Sequence, residues 1–183
     1  MNIYISGISG TGMGPLALMA KNAGLSVFGS DKSRGAIADE LEQAGINFEI
    51  GEQDGSFFEK CLNESGVDWF VYTSALPEDH AELKLAKEQE GLKVSKRDEF
   101  IAFLVERLNL KMVAVAGTHG KTTTTSMLIW AAKQLNLRAS YLVGTTLGFA
   151  KSGSYNVGDE YFIYLRRTSF LPSKVLSREH GSR

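Results

Sequence analysis

The sequence predicts an α/β protein: a parallel, doubly wound, Rossmann-like sheet, then the opening strand, loop and helix of a second unit built around a P-loop. Three observations predict it. Apolar strand-like runs alternate with segments of helix length. Gly24-Leu25, Gly45-Ile46, Gly66-Val67 and Gly91-Leu92 mark that alternation, each glycine closing a helix ahead of an apolar strand start. Units of this kind give parallel strands joined by right-handed crossovers. Two glycine-containing turns, one near the start and one after residue 116, each stand between a predicted strand and a predicted helix.

In chain order, residues 2–6 read as the first strand and run into Gly7, Gly10, Gly12 and Gly14. So many glycines let the backbone turn tightly and approach a ligand closely. The spacing is near a dinucleotide fingerprint without matching it. Counted from Gly10, the third glycine falls on Pro15, and Gly14 stands one residue early. Pro15 suits the first turn of the helix expected over residues 16–23. Further strands are predicted at 26–29, 47–50, 67–72 and 92–94, with helices around 37–44, 57–63 and 82–89. Ligands of such sheets sit beyond the carboxyl ends of the strands. That rule selects the glycine turn, Ser30 with Asp31, and Thr73 with Ser74. Asp31 lies about 20 residues beyond the glycine turn, where an acid meets a ribose hydroxyl; it could equally cap the residues after it. Glu40, Glu42, Glu82, Glu88 and Glu90 read as solvated helix faces. Residues 96–108 predict an amphipathic helix with Phe100, Ile101, Leu104, Val105 and Leu108 on one face. The unit boundary is placed within residues 107–111.

Residues 113–116 then alternate small and β-branched apolar side chains, as a buried strand does. Gly117, Thr118, His119 and Gly120 form the turn, and Lys121-Thr122 opens a helix through Met127, Leu128, Trp130 and Ala131. Strand, turn, Lys-Thr and helix is the grammar of a phosphate-binding loop. Backbone N–H groups and the helix N-terminus hold phosphate oxygens, Lys121 adds a cation, and the Thr122 hydroxyl can sit on Mg²⁺. The loop is a variant, because Val115 occupies the position of the first glycine of the usual pattern. Strands are expected again at 138–143 and 159–164.

A length of 183 residues allows one large or two small domains with a real core. A net charge of −1 offers no feature for nucleic acid or a membrane surface. No apolar run reaches membrane-spanning length, and Asn2-Ile3-Tyr4 enters a strand directly instead of a signal peptide. The single cysteine, Cys61, excludes an intramolecular disulfide, reads as packing and fits a reducing, cytoplasmic location.

Gly10-Thr11-Gly12-Met13-Gly14, Gly29-Ser30-Asp31, Thr73-Ser74-Ala75 and above all Gly117-Thr118-His119-Gly120-Lys121-Thr122-Thr123, in this order, resemble the Mur ligases over residues 2–164. The resemblance implies a UDP-sugar-binding domain at 1–107, part of the central ATPase domain at 108–164, and a remaining stretch, 165–183, that follows no family pattern. The implied activity is ATP-dependent amide synthesis in peptidoglycan precursor assembly. L-alanine is joined to UDP-N-acetylmuramate through an acyl phosphate, with a murein tripeptide as the alternative acceptor. Carried over by position, Gly117, Thr118, His119, Gly120, Lys121, Thr122 and Thr123 would bind ATP. Lys121 and Thr122 would act at the transferring phosphoryl group, and Thr122 would hold Mg²⁺. Gly10, Thr11, Gly12, Met13, Asp31, Thr73 and Ser74 would face the UDP-sugar. His119 is expected to shape the loop.

The pattern breaks after Tyr164. A strand of this type in the family runs into Glu-Ala-Asp-Glu, whose carboxylate holds Mg²⁺, whereas this chain reads Leu165-Arg166-Arg167-Thr168-Ser169. Codons GAG GCG GAC GAG, shifted by one base, encode Arg-Arg-Thr-Ser, so an aberrant, out-of-frame or unstructured tail is expected from about Leu165. Two readings follow: a ligase represented by an inactive fragment, or a UDP-sugar-binding module without catalysis. A nicotinamide-dependent oxidoreductase would rest on the imperfect glycine fingerprint and Asp31 alone, and it leaves Lys121-Thr122 unexplained.

Overall fold

The computed structural model describes residues 1–165. The first unit runs β1 (Asn2–Ser6), α1 (Gly14–Asn22), β2 (Ser26–Asp31), α2 (Ala38–Gln43), β3 (Asn47–Ile50), α3 (Ser56–Ser65), β4 (Trp69–Tyr72), α4 (Ala81–Glu88), β5 (Lys93–Lys96) and α5 (Arg97–Arg107). Its five strands are all parallel, in the order β3-β2-β1-β4-β5. The order reverses between β1 and β4, which is where open α/β sheets place their ligand crevice. The predicted doubly wound architecture is the observed one. The four punctuating glycines take positive φ values of 79°, 66°, 71° and 81° at Gly24, Gly45, Gly66 and Gly91, which a Cβ disfavours; the first three close their helices, and Gly91 stands two residues beyond Gln89, the C-cap of α4.

The strand period of two sorts the core. Ile3 and Ile5 of β1 face a cluster with Leu16, Ala20, Leu41, Phe100 and Leu104, so α1, α2 and α5 cover that side. Tyr4 faces the other way, against Phe58, Phe70, Leu83 and Ala86 from α3, β4 and α4. Its ring stacks on Phe70 at 5.5 Å and meets the edge of Phe58 at 4.8 Å. Trp69 lies edge-on to Phe100 and Phe103 and donates its indole N–H to Ser95 Oγ at 2.8 Å. Cys61 is buried in the second cluster as a packing residue.

The second unit comprises β6 (Lys111–Val115), α6 (Lys121–Gln134), β7 (Ala139–Leu142), β8 (Gly153–Ser154) and β9 (Tyr161–Leu165). Its order is β6-β9-β7-β8, with β8 antiparallel and the others parallel. Alternation again divides the faces. Leu142, Phe162 and Tyr164 join the core of the first unit, while Tyr141 and Ile163 pack under Ile129 and Ala132 of α6. The two sheets therefore share apolar packing. Thr11 Oγ1 donates to Gly144 O at 3.1 Å, and Lys151 pairs with Glu40 at 2.8 Å across the same seam.

Two expectations, on β6 and on Glu82, need correction, and two strand details stand beside them. β6 was expected to be buried, yet Val113 is 38% exposed, because β6 is the edge strand of its sheet among the described residues. The strand ending the described chain includes Leu165, the residue at which the tail was expected to begin; the rest of that stretch lies outside the described residues. The two-residue β8 has no period to announce it. Finally, Glu82 is not a solvated helix residue: it is 1% exposed, deep beneath the carboxyl end of the first sheet.

Candidate functional site

The carboxyl ends of both sheets open into one cavity of about 1090 Å³. From the first unit it is lined by Gly7, Gly10, Thr11, Gly12 and Met13 after β1, Asp31 at the end of β2, and Thr73 and Ser74 after β4. From the second come Lys121 and Thr122 at the start of α6, Leu142 at the end of β7 with Val143, Gly144 and Thr145 after it, and Tyr164 with Leu165 of β9. All seven residues expected at the UDP-sugar site line this space. Of the seven expected at the ATP site, only Lys121 and Thr122 do. Gly117, Thr118, His119 and Gly120 form the loop outside it, with His119 exposed, and Thr123 lies outside it in the first turn of α6.

The glycine turn is built by close approach. Gly7, at φ 81°, follows the last residue of β1, and the N–H groups of Gly7 and Ile8 both donate to Ser30 O, at 2.8 and 3.0 Å. Asp31 completes this tie: its Oδ2 accepts from Ser9 N at 2.8 Å and its Oδ1 from Ser33 N at 3.3 Å. Asp31 is thus no helix cap, since α2 begins only at Ala38 and takes Ile37 as its N-cap. Its carboxylate braces the glycine turn at the cavity wall. Thr73 Oγ1 accepts from Ala75 N at 3.3 Å, shaping the turn after β4.

Arg97 was not singled out from the sequence. It opens α5 and brings its guanidinium over Gly12, so that a Cβ at Gly12 would collide with Nη1. Gly12 leaves that space open, and a side chain there would make the Arg97 guanidinium shift. A second arm of the guanidinium donates to Tyr164 Oη at 3.3 Å, and Tyr164 donates in turn to Asp98 Oδ1 at 2.6 Å. Burial, relieved by Arg97 and reinforced by the hydrogen bond to Asp98, pushes the Tyr164 phenol up to about 12. The only advance sign of Arg97 was its position: a cation at the carboxyl end of a strand, starting a helix.

At the second turn, Gly120 is the N-cap of α6 with φ 73°, and no acidic residue occupies the first turn of that helix. Lys121 Nζ folds back onto the loop, donating to Gly117 O at 2.6 Å and Thr118 O at 3.2 Å. The donor set of ammonium, hydroxyl and helix N-terminal amides fits phosphate oxygens. For Mg²⁺ it supplies the Thr122 hydroxyl, and among the described residues there is no cluster of three or more metal-binding His, Cys, Asp or Glu side chains. Further along α6, Met127 and Trp130 are 66% and 53% exposed, so its outer face is not covered by the described residues. No helix among the described residues is long and apolar enough to cross a membrane.

Comparison with known proteins agrees with this fold. A family model described as "Mur ligase family, catalytic domain" matches residues 2–108. A UDP-N-acetylmuramate–L-alanine ligase of Symbiobacterium thermophilum is 38% identical over 155 residues, covering 82% of this chain and 30% of the relative. The enzyme of that name from Clostridium perfringens is 39% identical over 162 residues, covering 88% and 33%. Among solved structures, the UDP-N-acetylmuramate–alanine ligase of Thermotoga maritima superposes with a TM-score of 0.73 at 27% identity, over 90% of this chain and 36% of that one. A murein peptide ligase of Psychrobacter arcticus gives 0.73 at 31% identity, over 90% and 37%. The chain spans about a third of the length of the curated relatives it matches. With the family match covering more than half of its residues and the fold shared with peptidoglycan precursor ligases, this chain belongs to the Mur ligase family.

Proposed function

We propose that residues 1–107 bind UDP-N-acetylmuramate, that 108–164 hold the phosphates of ATP, and that together they form the nucleotide-binding part of a ligase adding L-alanine. The observation that carries the proposal is the single cavity. A glycine turn with Arg97 lies on one side and the Lys121-Thr122 helix start on the other, so a sugar carboxylate and an ATP γ-phosphoryl group can meet between them. In the proposed reaction the carboxylate oxygen attacks the γ-phosphorus and ADP leaves. The amine of L-alanine then attacks the acyl carbon, forming the amide and releasing phosphate. Lys121 holds and neutralises the transferring phosphoryl oxygens, a task of positioning and charge more than of covalent help. Thr122 is the residue that would touch Mg²⁺, which when bound offsets phosphate charge. The murein tripeptide remains the alternative acceptor, since the groups that select an amine are not among the lining residues assigned here.

The same proposal expects no ligation from this chain alone, because Arg166 and Arg167 stand where the family pattern has carboxylates. Calorimetric titration with UDP-N-acetylmuramate, ATP–Mg²⁺ and NAD tests it. The expected result is binding of the sugar nucleotide without L-alanine-dependent phosphate release. Binding of NAD alone would refute the sugar-nucleotide assignment, and L-alanine-dependent phosphate release would refute the expectation of inactivity.

A further inference from the structure

Beneath the glycine turn lies a buried polar hub to which no role is yet attached. Glu82, in the first turn of α4, is 1% exposed and accepts hydrogen bonds from three hydroxyls. Tyr4 Oη and Ser30 Oγ donate to its Oε1 at 2.7 and 2.5 Å, and Ser6 Oγ donates to its Oε2 at 2.6 Å. Gln53 Nε2 adds a donor, reaching Ser30 Oγ at 2.9 Å, Ser6 Oγ at 3.3 Å and Glu82 Oε2 at 3.4 Å. Gln53 does so from a left-handed backbone, φ 52°, which a non-glycine residue keeps only where its surroundings over-determine it. No lysine or arginine pairs with Glu82 among the described residues. A buried carboxylate satisfied wholly by neutral donors is held by geometry, and every donor lost leaves a costly unmet acceptor.

The donors are placed where this geometry matters. Ser6 and Ser30 are register partners and the terminal or penultimate residues of β1 and β2. Ser6 leads directly into Gly7. Ser30 offers its carbonyl to the N–H groups of Gly7 and Ile8 and leads into Asp31, which braces Ser9. We infer that Glu82 is a positioning residue for the N-terminal ligand site: acting through Ser6 and Ser30, it sets the exit of β1 and β2 and so the shape of the glycine turn. The inference rests on the sugar-nucleotide reading for its ligand and on the fold alone for its geometry.

The test compares E82Q, which keeps the volume but turns one acceptor into a donor facing Gln53, with L83A. Leu83 is 1% exposed on the same helix, packs in the apolar cluster that includes the Tyr4 ring, and gives the polar hub no hydrogen bond. L83A is the control for destabilisation of α4 as such. Backbone amide NMR of the 183-residue chain reads residues 7–14 directly, and titration with UDP-N-acetylmuramate reads affinity well below the unfolding temperature. E82Q is expected to shift the Gly7 and Ile8 amides and to weaken binding by about tenfold or more, while L83A changes neither. In an S6A/S30A background, E82Q should add little further loss of affinity or amide shift, since it acts through Ser6 and Ser30. Equal effects of E82Q and L83A on the turn amides, or full additivity of E82Q with S6A/S30A, would overturn the inference. If the unsubstituted chain binds no UDP-sugar, the functional proposal fails; the amide comparison still decides the role of Glu82.

Discussion

Replacing Tyr164 by Phe tests the seam between the two sheets. The substitution removes one hydroxyl and leaves the ring, which is 4% exposed and stacks on Phe162 at 6.2 Å. What is lost is the 2.6 Å bond to Asp98 and the weaker 3.3 Å bond from Arg97. A hydrogen bond to a charged group contributes about 1.5–3 kcal/mol when water cannot replace it. Here the Asp98 and Arg97 side chains are 32% and 21% exposed, so water recovers part, and a loss of about 1–2 kcal/mol is expected near neutral pH. The pH dependence has a definite sign. The folded phenol titrates at about 12 against 10 for an unperturbed tyrosine, so the extra stability is complete below pH 10 and disappears as pH rises to 12. That displacement corresponds to about 2–3 kcal/mol lost across the window by the unsubstituted chain and not by Y164F. Urea unfolding of both proteins at pH 8 and pH 11 measures it, with lysines and the other tyrosines common to both. The penalty for Y164F should shrink at the higher pH. A penalty that is absent at pH 8 would refute the assigned hydrogen bonds, and one that is the same at both would refute the raised titration of the buried phenol.

Three further outcomes are expected. R97A should weaken UDP-N-acetylmuramate binding by about tenfold or more and leave uridine binding unchanged, as a lost charge-assisted phosphate contact does; equal losses for both ligands would show that Arg97 does not meet the diphosphate. K121A should lower ATP affinity by about 10- to 100-fold in a filter-binding or calorimetric assay, and an unchanged affinity would remove the loop from the nucleotide site. F58A, which empties a wholly buried position between Tyr4 and Phe70, should cost about 3–5 kcal/mol in urea unfolding, and a cost below about 1 kcal/mol would contradict that packing.

Most of the first sheet is legible along the chain, because each βα unit carries its own punctuation. An apolar run, a helix and a left-handed glycine need no knowledge of distant residues. The same holds for the two turns, whose glycines and Lys121-Thr122 announce themselves locally. Family membership could be recognised from these motifs in order, and Gly10, Thr11, Gly12, Met13, Asp31, Thr73 and Ser74 do converge on one cavity wall. Burial of individual side chains is different in kind. Glu82 sits in an ordinary amphipathic pattern and reads as solvated; it is buried because strands far apart in sequence bring Tyr4, Ser6 and Ser30 to it. Val113 errs in the opposite direction, an apolar strand residue left at a sheet edge.

Local sequence thus determined the element types, the parallel first sheet and the two glycine-containing turns, since backbone propensity, helix caps and period act over a few residues. Tertiary structure alone decided that both turns open into one space, that Arg97 lies over Gly12 where no Cβ intervenes, and that Lys121 rests on the carbonyls of its own loop. These are contacts between residues distant in the chain, or choices of side-chain direction, and they follow from packing two sheets against each other. The glycines say where a ligand can approach; the packing says which charges await it there.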